Sequence, residues 1–288
     1  MALVINTNIA AMDAYRNLQK SSMSMNDSLA KLSSGSRINK AADDAAGLAI
    51  STGLQAQING MNQGIKDAQD GISVVQLADG ALTETTSILQ RMRTLAVQAS
   101  NTGSQDANAI NASNQEFTQL QTELDRIVSS TKFGSQALLD GTYNGAFTVG
   151  SDASAGNVIN VDLSSATLGT LLTAQGTSGL NAAGLKVDAG TLAGGVSDTN
   201  AIANLDNAIQ SVATVRANLG AYQNRFQHTV NNLQVAVQNT SAANSQIADT
   251  DMAQEMSSFT KNQILVQAGT SMLAQANAAN QGILKLLG

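Results

Sequence analysis

The sequence predicts a mainly α protein, a long antiparallel helical rod or coiled coil formed by the N- and C-terminal segments with a small β-hairpin region in the middle. Three observations point there. Apolar residues recur at alternating three- and four-residue spacings over both outer parts of the chain, the period of helices that pack along a seam. The 288 residues include no proline, the residue that breaks helix interiors. Of the 24 glycines, 11 fall between residues 141 and 200, and glycine serves turns better than helices.

Composition narrows the architecture and the chemistry. The apolar fraction is 43%, but with 5 Phe, 3 Tyr and no Trp the packing falls to small and aliphatic side chains. Such side chains bury little area each, which favours thin helical layers over a thick core. Without cysteine there are no disulfides, thiol nucleophiles or thiolate metal sites. A net charge of −6, with no basic patch carrying interleaved aromatics, argues against nucleic acid as a partner. No run of about 18 apolar residues is present to span a membrane. Residues 1–17 do not read as a secretory signal, because Asp13 and Arg16 interrupt the apolar residues.

The elements follow in order. Val4, Ala11, Leu18, Met25 and Leu32 stand seven apart, with Tyr15 and Leu29 in the companion positions of a loose heptad. Ser33-Ser34-Gly35-Ser36 ends that helix. A second helix starts near Asp43 or Asp44, where a carboxylate caps free backbone N–H groups. Along it Leu54, Ile58, Met61, Ile65, Ala68, Ile72 and Val75 alternate four and three apart, and after a shift near Gly80, Ile88, Met92, Leu95 and Ala99 continue. Unbroken to Ser100, it would be roughly 85 Å long at 1.5 Å per residue. A turn at Asn101-Thr102-Gly103-Ser104 precedes a helix over about 107–129 that folds back along the second. Ala146–Val149 and Val158–Leu163 read as strands around a glycine-containing turn. Leu205, Ile209, Val212, Leu219, Phe226, Val230, Leu233, Val237 and Ile247 share one register, with Arg216, Gln223, Thr240 and Asn244 in its polar slots. Met252, Met256, Phe259, Val266 and Leu273 follow at similar spacing, then Ile283, Leu284, Leu286 and Leu287.

Two long stripes of similar length, with no other large partner in the chain, pair antiparallel. The outermost segments, 1–44 and 245–288, have stripes but little bulk to bury them. Helices of that kind are marginal alone, so they are expected to order by packing with other copies; the alternative is one continuous intramolecular coiled coil.

Groups that might carry chemistry have simpler readings. His228 stands alone beside the helical stripe. Asp43 and Asp44 read better as caps than as paired catalytic carboxylates, and Asp249, Asp251 and Glu255 better as solvated or capping carboxylates than as a weak cation site. Neither an HExxH zinc pattern nor a phosphate-binding glycine loop occurs. No catalytic residue, metal ligand or cofactor site is expected.

The motifs resemble those of bacterial flagellins, of a short type with reduced outer domains. Met1-Ala2-Leu3-Val4-Ile5-Asn6-Thr7-Asn8, Leu32-Ser33-Ser34-Gly35-Ser36-Arg37-Ile38-Asn39 and Ala42-Asp43-Asp44-Ala45-Ala46-Gly47-Leu48-Ala49-Ile50 are similar to the family's first half, as is Gln90-Arg91-Met92-Arg93. Leu219-Gly220-Ala221, Gln223-Asn224-Arg225-Phe226, Ala248-Asp249-Thr250-Asp251-Met252-Ala253 and Leu273-Ala274-Gln275-Ala276-Asn277 resemble its second half. Two positions depart from the family: Thr94 stands where Glu is usual, and Asn280 near the place of a common proline.

The resemblance implies a structural subunit that polymerises into the extracellular flagellar filament for motility, and not an enzyme. A hook–filament junction protein is the alternative, and an enzyme carried on a flagellin scaffold a further one that the short middle does not favour. It implies a terminal coiled-coil core domain over 1–44 and 245–288, a helical rod with β-hairpin over 45–170 and 200–244, and a short variable outer segment over 171–199. Core assembly contacts would be Val4, Leu18, Met25, Leu32, Met256, Phe259, Val266, Leu273 and Leu287. Partners would be other copies, the flagellar export apparatus, an export chaperone, cap and junction proteins, and in an animal host the innate toll-like receptor five. Arg91, Leu95 and Glu116 match the positions that serve receptor and axial subunit contacts in the family.

Overall fold

A computed structural model describes residues 8–101, 106–152, 154–163 and 199–287. Val4 and the outer segment as far as 198 lie outside the described residues, as does the side chain of Leu287. The elements are α1 (Ile9–Ser34), α2 (Ala45–Ser100), α3 (Ala107–Ser130), β1 (Lys132–Phe133), β2 (Gln136–Ala137), β3 (Asn144–Thr148), β4 (Val158–Asp162), α4 (Thr199–Ala248) and α5 (Met252–Leu287). They form two compact units, Met1–Gln57 with Gln238–Gly288 and Ile58–Val237.

Helix starts are set by polar side chains that accept the orphan N–H groups of a first turn. Asn8 Oδ1 accepts from Ala11 N at 3.0 Å, Asp44 Oδ1 from Gly47 N at 2.9 Å and Asp106 Oδ1 from Ala109 N at 2.7 Å. Asp43 Oδ2 accepts from the backbone of Asn39 and Lys40 at 3.0 and 2.9 Å, which closes the turn before α2 and holds its carboxyl below the ordinary range. The Asp43–Asp44 pair thus divides into a turn and a cap.

In the unit Ile58–Val237, α2 and α4 run antiparallel. Arg93 pairs with Asp206, Arg216 Nε with Asp79 Oδ1 at 2.8 Å, and the Phe226 ring lies over Gly71. Residue numbers fall on α4 as they rise on α2. Arg216, a polar residue in an apolar register, is therefore a cross-helix staple.

The core joins Ala68, Val75, Leu82, Leu89 and Met92 of α2 with Phe117 and Leu124 of α3, Leu205, Val212 and Leu219 of α4, and Ile159 and Val161 of β4. The shift expected near Gly80 is absent: Met61, Ala68, Val75, Leu82, Leu89 and Ala96, seven apart, are all buried. Partners cover a wide arc of α2, so Ile65, Ile72 and Ile88 on the flanks also pack against the core. Spacing alone does not separate these flank residues from the seam.

The strands expected at 146–149 and 158–163 form β3 and β4, antiparallel from Asn144↔Asp162 to Thr148↔Val158. Phe147 meets Phe226 edge to face at 5.5 Å. The hairpin's loop lies on α2 where two glycines clear the surface. A Cβ at Gly60 would stand 2.9 Å from the Ser151 backbone, and one at Gly64 3.0 Å from Gly150 N. The short β1–β2 pair was not expected, since two-residue strands show no alternation to read.

Glycine costs a helix about 1 kcal/mol relative to Ala, so its use within α2 separates by what each position faces. A Cβ at Gly71 would meet the fully buried Phe226 ring at 2.6 Å, whereas Gly80 has nothing within 4 Å. Gly80→Ala should therefore raise stability by about 0.5–1 kcal/mol. Gly71→Ala should lower it, because overpacking costs about 1–3 kcal/mol and outweighs the same propensity gain. Urea unfolding of the two variants beside wild type checks the order.

Candidate assembly surfaces

The unit Met1–Gln57 with Gln238–Gly288 is built on the α1–α5 pair. Asn8 Nδ2 donates to Ala276 O at 3.0 Å, a Cβ at Gly269 would meet Leu18 Cδ1 at 3.2 Å, and Thr250 N donates to Gly35 O at 3.0 Å. The helices therefore run antiparallel.

Gly35, at φ 72°, ends α1 with its N–H on Lys31 O at 2.9 Å. That left-handed conformation suits glycine. It turns the chain so that Arg37 N reaches Ala248 O and Arg37 Nη2 reaches Ile247 O, each at 2.6 Å. Asp251 accepts from Ala253 N and Gln254 N at 2.9 and 3.1 Å, restarting the chain as α5 without proline or glycine. The LSSGSR and ADTD motifs are thus two halves of one junction, also joined by a Ser36–Asp249 bridge. Ser51 Oγ donates to Asn244 Oδ1 at 2.7 Å, which accounts for another polar slot.

Burial along the pair has heptad spacing on both sides. On α1, Ala11, Ala14, Leu18, Ser21, Met25, Ser28 and Leu32 are at least half covered. On α5, Glu255, Phe259, Asn262, Val266, Gly269, Leu273 and Ala276 are half-buried. The companion positions on α1 are accordingly Ala14, Ser21 and Ser28, and the expectation of Tyr15 and Leu29 is corrected. Small side chains let the helices approach, while Tyr15 and Leu29 remain exposed. Within the chain, α1 and α5 each cover the inner stripe of the other.

Leu18, Met25, Leu32, Phe259, Val266 and Leu273 therefore lie in the α1–α5 seam, whereas Met256 is exposed. What the pair leaves open is a second set of apolar side chains. Ile9, Met12 and Met23 of α1 and Ile264, Leu265 and Met272 of α5 are exposed. Met12 and Met23 are eleven residues apart, close to three helical turns, and share a side. Sequence reading missed this set because the seam absorbed the periodic signal.

Arg91 and Glu116 meet in the other unit. Arg91 Nε and Nη2 donate to Glu116 Oε1 and Oε2 at 2.6 and 3.0 Å, a two-pronged pair between α2 and α3. Arg93 pairs with Asp206 of α4, so the arginines flanking buried Met92 tie α2 to both neighbours. Leu95 is 3% exposed and belongs to the core of its own chain. Thr94 Oγ1 donates back to Gln90 O at 3.0 Å, and α5 runs unbroken through Asn280. His228 is exposed beside Asn224 and Arg225. Among the described residues no three His, Cys, Asp or Glu side chains are placed to hold a metal ion, and no helix is long and apolar enough to cross a membrane.

Long helices, a core in one unit and open apolar side chains on a helix pair in the other define a mainly helical protein of thin layers. Residues 5–144 match the bacterial flagellin N-terminal helical region, and residues 202–287 the bacterial flagellin C-terminal helical region. Flagellin of Bacillus subtilis strain 168 is 44% identical over 98% of this chain and 99% of its own. Flagellin of Halalkalibacterium halodurans is 44% identical over 99% of this chain and 100% of its own, and flagellin FlaB2 of Treponema pallidum 43% identical over the same shares. The chain belongs to the bacterial flagellin family, which is a family of structural proteins and not of enzymes.

The Arg91–Glu116 pair has a predictable response to acid. The hydrogen bond from Arg91 lowers the Glu116 pKa. A carboxyl lowered on folding contributes stability above its unfolded pKa and loses it as pH falls through the folded one. Glu116→Gln should thus be slightly less stable than wild type at neutral pH, with the gap closing on acidification and shrinking with added salt, because the pair is exposed. Urea midpoints across the acid range check both.

Proposed function

We propose that this chain is the polymerising structural subunit of the bacterial flagellar filament, outside the cell, and that the open faces of α1 and α5 are where neighbouring copies pack. The observation that carries the assembly reading is the exposed set Ile9, Met12, Met23, Ile264 and Met272, left open after the two helices have covered each other. Burying a side chain of this size is worth about 1.5–3 kcal/mol, so a few from each of several neighbours suffice to order a marginal helix pair. The three relatives named above are flagellins, which favours the polymer over the junction alternative.

Seeded elongation tests this reading. Ile264→Asp with Met272→Asp should leave the cooperative unfolding of the unit Ile58–Val237 unchanged. The same variant should fail to elongate short filament seeds under electron microscopy. Elongation at the wild-type rate would remove the open faces from the assembly surface.

The remaining partners follow from the family reading. The flagellar export apparatus and an export chaperone would carry the chain out, and cap and junction proteins would bound the filament. Loss of the chain from the medium of cells lacking flagellar export is the expected outcome. For a toll-like receptor five contact, the exposed Arg91–Glu116 pair supports a polar docking point, with Leu95 holding α2 beneath it. Arg91→Ala should weaken receptor signalling; undiminished signalling would confine the pair to intrachain packing and axial contacts.

A further inference from the structure

Among the described residues the fully buried and the exposed thioethers fall in different units, with Met25 half-buried in the α1–α5 seam. With no cysteine and no tryptophan, the thioethers are the side chains most readily oxidised by a peroxide. Met61 and Met92 are 4% and 0% exposed, inside the unit Ile58–Val237. Met12, Met23, Met252, Met256 and Met272 are exposed, between 49% and 63%, and all belong to the unit built on α1 and α5. Met256 borders a shallow apolar depression with Ile264 and Leu265.

We propose that these five methionines form a reversible oxidation site that blocks assembly of free subunits while leaving their fold intact. The proposal rests on the assembly role of the open α1 and α5 faces. In the reaction, the sulfur lone pair attacks the distal peroxide oxygen and the O–O bond breaks. An S–O bond forms and the other oxygen leaves as water. Sulfur is oxidised by two electrons and the peroxide reduced by two. The sulfoxide is polar, and burying it against an apolar neighbour leaves its oxygen unpartnered. In the free subunit the same oxygen faces water at little cost, so oxidation disfavours packing and spares the monomer.

The test is mild hydrogen peroxide treatment of purified full-length monomer, followed by mass spectrometry and seeded elongation. Sulfoxides should appear at the five exposed methionines before Met61 or Met92. Elongation should slow by at least about tenfold, as expected when polar groups are buried unpaired. The unfolding midpoint of the unit Ile58–Val237 should not change. Methionine sulfoxide reductase with a thiol reductant should restore elongation, and in a variant with all five changed to Leu the ratio of peroxide-treated to untreated elongation rates should be one, whatever that variant's own rate. Oxidised protein that elongates at the untreated rate, or a Leu variant equally silenced by peroxide, would overturn the proposal. If the Ile264→Asp, Met272→Asp variant elongates normally, the assembly reading itself fails. If that variant is inert while sulfoxide protein elongates, only the oxidation site fails.

Discussion

Two helices lying side by side can each hide one face, and that limit governs this molecule. Where α2 has α3, α4 and the β3–β4 hairpin around it, a wide arc of its surface is buried and a core forms. Where α1 has α5 as its one helical partner among the described residues, the seam between them closes and the apolar side chains Ile9, Met12 and Met23 stay open. The small side chains of the α1 seam bring the pair together but bury little area. The same chain thus carries one unit with its own core and another whose apolar surface exceeds what a single copy covers.

Close approach rather than bulk makes the larger unit work with so few aromatic rings. Gly60 and Gly64 admit the hairpin loop onto α2, and Gly71 admits Phe226, which meets Phe147 edge to face. Ion pairs from Arg91, Arg93 and Arg216 then fix which neighbour lies on which side. These pairs are exposed, and pairs of that kind stabilise weakly. Their contribution is alignment, while the buried stripe supplies the stability.

Much of this was readable from residue spacing. The start of α2 at Asp44, the long register of α4 from Leu205 to Ile247 and both central strands follow from period and capping alone. Other features were not, for physical reasons. A helix with partners over a wide arc buries its flanks as well as its seam, so Ile65 and Ile88 looked like a shifted stripe. Tyr15 and Leu29 share a near-heptad spacing with Leu18, and spacing cannot say which of two adjacent columns faces a partner. The close approaches at Gly60, Gly64 and Gly71 were not readable, because what each missing Cβ clears lies on another element. The flagellin family was legible in the terminal motifs, whereas the open apolar set required knowing which side α5 covers.

The central claim is that the apolar faces left open by the α1–α5 pair become buried only when copies assemble. Amide hydrogen exchange, compared between monomer and polymer, tests it most directly. The account predicts that residues 9–34 and 252–278 gain strong protection on polymerisation, while residues 68–99 in the core of the other unit exchange slowly in both states. Equal protection of α1 and α5 in monomer and polymer would contradict it.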